Sequence, residues 1–160
     1  MKARKVDQTE IKFMQSFVMA VLILGFITNN WMVILVQVII FLLTIINPIL
    51  NPFIFIYKKL LLPMNVLKAD WRNDNMEAHR FASMIGFSVS LLSVVFLIKG
   101  YSLVGWGLTW LILVFGVLAL SGWCAGCYSY YLLNKIGLKG FFKHEMIGNK
   151  MPGTRPPKGE

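Results

Sequence analysis

Residues 104–133 read VGWGLTWLILVFGVLALSGWCAGCYSYYLL, the longest apolar run in the chain. As one straight helix it would extend about 45 Å, against a bilayer hydrocarbon core of about 30 Å. A helix of that length has to tilt, project from the membrane or break. Gly122, near the centre of the last polar-leaning stretch, is the natural break point. The run also carries the only two cysteines of the chain, Cys124 and Cys127, spaced i, i+3 so that they share one helix face.

Three shorter apolar runs lie upstream, at 11–28, 31–46 and 81–98. Each is close to the minimum length for a membrane crossing. Asn29-Asn30 separates the first two, which reads as a tight antiparallel hairpin. Pro48 and Pro52 end the second, because proline lacks an N–H and restricts the residue before it. The segment 52–63 is apolar but too short to span and carries Lys58 and Lys59, as an interfacial or re-entrant helix would. A polar connector follows over 64–79. The sequence therefore predicts an all-α integral membrane bundle of four transmembrane helices, with a short interfacial helix after the second span. Residues 1–133 form a single membrane domain, and 134–160 a basic cytoplasmic tail, partly disordered, with disorder expected over the last ten residues.

The bulk numbers agree. Of 160 residues, 57% are hydrophobic and 14% charged, against about 25% charged in soluble domains. The mean hydropathy is +0.66. The basic N-terminus lacks the short apolar region and small-residue cleavage site of a signal peptide, so the first run reads as a retained helix. The formal charge of +9 would raise the question of nucleic acid in a soluble protein. Here the basic residues flank apolar runs, as anionic headgroups favour, and no nucleic-acid module is visible. With four spans, fifteen Lys and Arg fall on one side and only Lys99 on the other. The positive-inside rule then puts both termini in the cytoplasm. The expected setting is the plasma (inner) membrane of a bacterium, with the lipid bilayer as the first partner.

The cysteine pair is the constellation with chemistry. If 104–133 is one helix, the pair lies near its C-terminus, where the dipole opposes a thiolate. If the helix breaks at Gly122, Cys124 falls in the first turn of a new helix, where dipole and free N–H groups favour the thiolate. The sequence leaves both geometries open. Cytosolic thiols are kept reduced, so a facing pair there suits a transient redox couple, a sulfur carrier or a metal site over a structural disulfide. A tetrahedral metal takes four ligands, which the pair and the two histidines, His79 and His144, could supply only by converging, and nothing in their spacing demands that. No cofactor is implied. Every Asp and Glu lies outside the four spans, against ion-coupled transport. Gln15, Gln37, Asn47 and Asn51 read as helix–helix hydrogen-bonding groups, and Tyr130 as a group within reach of the thiols. The packing reading of the cysteines has its own support: Gly122 and Gly126 make a small-xxx-small face for a neighbouring helix or a second copy of the chain. A non-catalytic membrane scaffold or small permease component with structural cysteines is therefore the rival to a thiol-redox or sulfur-relay protein.

Several of these pieces together resemble one family. They are Val6-Asp7 before Lys12-Phe13, the basic stretch marked by Pro48, Pro52, Lys58, Lys59 and Pro63, Arg80-Phe81-Ala82 with Gly86, and Gly122-Trp123-Cys124-Ala125-Gly126-Cys127-Tyr128-Ser129-Tyr130. The chain resembles, over roughly residues 6–133, the domain of unknown function 4395 family of small bacterial four-helix membrane proteins. Its terminal signature is Gly-aromatic-Cys-x-x-Cys-x-x-Tyr. The resemblance implies thiol or sulfur chemistry at Cys124 and Cys127, with a thioredoxin-like or rhodanese-like cytosolic protein as partner.

Overall fold

The computed structural model describes residues 4–64, 66–137 and 151–156. The fold is all-α, with one small ribbon added. In chain order it comprises β1 (Arg4–Asp7), α1 (Gln8–Ile27), α2 (Trp31–Ile46), a 3₁₀ turn (Pro48–Leu50), α3 (Pro52–Ile56) running into a π turn (Tyr57–Leu61), β2 (Trp71–Asp74), α4 (Met76–Ile98), α5 (Ser102–Ser121) and α6 (Ala125–Lys135).

Caps set the boundaries. Asp7, Asn30 and Asn75 each accept an N–H two residues ahead, opening α1, α2 and α4. Asn29 turns the α1–α2 hairpin in the left-handed region, φ 47°, a conformation asparagine tolerates. Its side chain accepts the Trp106 indole N–H at 3.1 Å. Asn47 and Asn51 cap the 3₁₀ turn and α3, and Asn51 also donates to Thr44 at 2.7 Å. Gln37 has no hydrogen-bond partner among the described residues, although it is fully buried.

Val18, Leu22, Ile34, Val38, Phe41, Val94 and Leu113 form the core where α1, α2, α4 and α5 meet. Much of the outer surface is also apolar, with Ile23, Leu24, Ile39, Leu92, Val114 and Val117 exposed. Helices α1, α4 and α5 are long and apolar enough to cross a membrane, whereas α2 is apolar but shorter, at 16 residues.

Of the two geometries left open for 104–133, the structure has the broken one, with two helices, α5 and α6. Two further features add to the sequence expectations or depart from them. The connector is not featureless: β2 pairs antiparallel with β1, Val6 opposite Arg72 and Asp7 opposite Trp71. Residues 151–156, expected within a disordered end, form a turn in which Thr154 bridges Trp123. The rest of the expected tail disorder, over 138–150 and 157–160, lies outside the described residues.

Candidate functional site

The site begins at Gly122. Its φ of 109° ends α5, a conformation that glycine adopts without side-chain strain. The Gly122 N–H bonds the Ala119 carbonyl at 3.1 Å and the Trp123 N–H bonds that of Leu118 at 3.0 Å, closing the last turn as a Schellman motif. Two residues later α6 starts. Cys124 is its extended N-cap, and the Cys124 Sγ accepts the Cys127 N–H at 3.3 Å. A sulfur thus occupies the position usually held by a serine or aspartate oxygen, at the positive end of the helix.

The tail turn completes this junction. The Cys124 N–H donates to the Gly153 carbonyl, and the Arg155 N–H to the Gly122 carbonyl, both at 2.8 Å. The Arg155 guanidinium reaches the Ala119 carbonyl. Gly153 has φ 81°, and a Cβ there would stand 2.7 Å from the Cys124 oxygen.

Cys127 lies one turn into α6 and is 5% exposed, in a second core cluster with Ala78 and Tyr130. Gly126 allows that packing: a Cβ on it would lie 2.5 Å from the Ala82 Cβ, so α6 rests directly on α4. Gly122 differs, with nothing within 4 Å of the corresponding position. Its role is to break the helix; only Gly126 makes the close approach expected of both. The Tyr130 hydroxyl donates to Glu77 at 3.1 Å.

A polar relay stands behind the cysteines. Cys127 Sγ is 3.6 Å from His79 Nδ1, and His79 Nε2 is 2.9 Å from Asp74 Oδ2. Asp74 also accepts the Gln8 amide at 2.6 Å and the Asn75 N–H at 2.8 Å. The ribbon explains the placement, since β2 ends at Asp74 and α4 then begins, bringing His79 round one turn above it. Burial disfavours the Asp74 charge, but hydrogen bonding to His79 outweighs it and holds the carboxyl below its usual range.

The two thiols are driven apart. Cys124 is lowered to about 6, chiefly because Cys127 hydrogen-bonds its thiolate; burial opposes, and the N–H groups of α6 and the charge of His79 assist. Cys127 is raised well above the ordinary thiol value by the same hydrogen bond, by burial and by the neighbouring thiolate. Of the two thiols, Cys124 is the more readily ionised and Cys127 the one that holds its proton. No disulfide joins Cys124 and Cys127 in the structure.

Sequence reasoning brought Cys124 and Cys127 together but missed Asp74 and Gln8, and weighed His79 only as a metal ligand. Among the described residues no cluster of three or more His, Cys, Asp and Glu is arranged to hold a metal ion. His144 lies outside the described residues.

Fold and site define a small apolar helical bundle with a Cys-x-x-Cys motif at the start of α6. The family model described as Domain of unknown function (DUF4395) matches residues 6–135, most of the chain, and the chain belongs to that family. No curated protein and no solved structure matches it.

Proposed function

We propose that the chain is a four-span protein of the bacterial plasma membrane, both termini cytoplasmic, and that Cys124 and Cys127 are its thiol-redox or sulfur-relay pair. The shorter α2, about 24 Å long, would cross with help from its flanking turns or local thinning of the bilayer. The observation that carries the thiol reading is the extended Cys124 capping α6, with its Sγ facing the helix N–H groups.

The chemistry follows from the asymmetry of the pair. The Cys124 thiolate attacks a sulfur of a disulfide on a thioredoxin-like partner. A Cys124–partner bond forms, and the displaced partner sulfur leaves with the electron pair and takes up a proton. His79, held by Asp74, supplies that proton; the neutral imidazole then takes the proton of Cys127, which attacks the Cys124 sulfur. The Cys124–Cys127 disulfide forms and the second partner thiol is released. The pair loses two electrons and the partner gains them. With a persulfide-bearing, rhodanese-like partner, the same thiolate would take the outer sulfur and release the partner's thiolate.

The packing alternative draws on Gly126. In the structure its small face is occupied within the chain by Ala82, which leaves less of it for a homo-oligomer.

Cysteine labelling in intact cells tests the reading. Labelling by a membrane-permeant maleimide only, rising after prior reduction, is expected for a cytoplasmic redox pair. Thiols that stay unlabelled even after reduction would be buried packing residues and would overturn it.

A further inference from the structure

A cavity of about 260 Å³ opens between α1, α2, α4, α5 and α6. Its walls are mostly apolar, including Val18, Phe41, Val89, Ile112 and Phe115. Along α4 it follows the helix from Met76 to Val89, about 20 Å at the helical rise. It therefore runs from the site into the part of the bundle read here as membrane-embedded. Its polar lining includes Glu10, Gln15, His79, Arg80 and Cys124. The Gln15 Oε1 is buried there with no hydrogen-bond partner among the described residues. A second, smaller pocket, about 50 Å³, lies on the other side of the same groups, under Gly153, Thr154 and Arg155. Cys124 and His79 line both. Cys124 thus lines both an apolar chamber and a smaller, more mixed one.

We propose that the apolar chamber binds a lipid-soluble quinone, which reoxidises the Cys124/Cys127 pair; this rests on the thiol-redox reading above. Three observations favour a quinone over a plain acyl chain. Dry apolar cavities on the order of 150 Å³ accept a benzene ring, so this one holds a substituted ring with part of a tail. An acyl chain offers nothing to the thiol, imidazole and orphan amide of the polar lining. A quinone places an electrophilic ring and carbonyl oxygens there, and its reduced form supplies an O–H for the Gln15 oxygen.

The electrons balance. The Cys124 thiolate adds to a ring carbon, forming a C–S bond. As that bond forms, the His79 imidazolium gives its proton to a ring oxygen; the neutral imidazole then takes the proton of Cys127, which attacks the Cys124 sulfur. The S–S bond forms as the C–S bond breaks, and its electron pair stays on the ring. The ring oxygens take two protons, one by way of His79 and one from water. Net, dithiol and quinone become disulfide and hydroquinone.

The test uses the full chain, reduced, freed of reductant and reconstituted in vesicles, with a short-tail benzoquinone as probe. One quinone is expected to disappear per Cys124–Cys127 disulfide formed. Cys124→Ser should bind the quinone but leave it oxidised. Val89→Phe and Ile112→Phe, which fill the chamber from different helices, should each weaken quinone binding about tenfold or more. Both should keep the wild-type rate of Cys124 alkylation, which shows that the site is intact. The inference is overturned if both filled variants bind as wild type does. It is also overturned if the thiols survive quinone but are oxidised by an aqueous disulfide, and that outcome leaves the thiol-redox reading standing. A pair that neither oxidant touches sinks both.

Discussion

The two ends of this molecule are held together by different physics. In the middle of the bundle, Val18, Leu22, Ile34, Val38, Phe41, Val94 and Leu113 interlock by shape alone. At the other end, Asp7 receives the Thr9 and Asp70 N–H groups and the Tyr57 hydroxyl, and Asp74 receives Gln8, Asn75 and His79. Packing is non-directional and degrades gradually, whereas a buried hydrogen-bond network fails when one member is removed. The thiols lie in the second region. Their reactivity should therefore depend steeply on single polar or small residues nearby and hardly at all on the apolar core.

Replacing Gly126 with leucine attacks the comparison hardest. The new side chain would overlap the backbone of Ala82. We expect α6 to leave α4 and thiol exchange to fall below detection, read by exchange kinetics beside a membrane-insertion assay that stays normal.

The next largest effect concerns proton balance. Cys124 alkylation should rise with pH to a midpoint near 6, because the reactive species is the thiolate and its value lies below the ordinary one. His79→Asn removes an attractive charge and should move the midpoint upward, slowing alkylation at pH 6. An unmoved profile would remove His79 from the site. The same sign holds for stability: the lowered Cys124 contributes in full above the ordinary thiol value and loses its contribution as pH falls through about 6.

Gly122→Ala sits lower on the scale. A side chain at φ 109° costs about 1 kcal/mol or more, with open space around it. Thermal stability in detergent should drop by a few degrees, and Cys124 should still react.

Val38→Ala is the control at the other end of the scale. It should cost stability, roughly 1–3 kcal/mol for a buried side chain, yet leave the alkylation profile unchanged. A shift of that profile would show that the two regions are not independent.

Which parts of this were readable in the chain follows the same division. The apolar runs, the Asn29–Asn30 turn and the proline-ended α2 announce themselves locally, because a helix or a turn is decided by neighbours in sequence. The break at Gly122 was visible only as a possibility. What favours it are bonds from Cys124 and Gly122 to Gly153 and Arg155, far along the chain. Asp74 and His79 were hidden for a related reason. Two four-residue polar strands, Arg4–Asp7 and Trp71–Asp74, carry too little alternation to be recognised, and only their pairing places Asp74 beneath the histidine. Cys127 and His79 are 48 positions apart, and nothing in either neighbourhood points to the other.

The turn at 151–156 has a consequence for how the protein is made. A ribosome delivers the chain from its N-terminus, so α5, Gly122 and both cysteines exist before Gly153 and Arg155 do. Until those residues arrive, the Cys124 N–H and the Gly122 carbonyl lack the partners they have in the finished protein. The junction around Cys124 is therefore completed only once residues 151–156 have been made, whatever the order in which the helices pack.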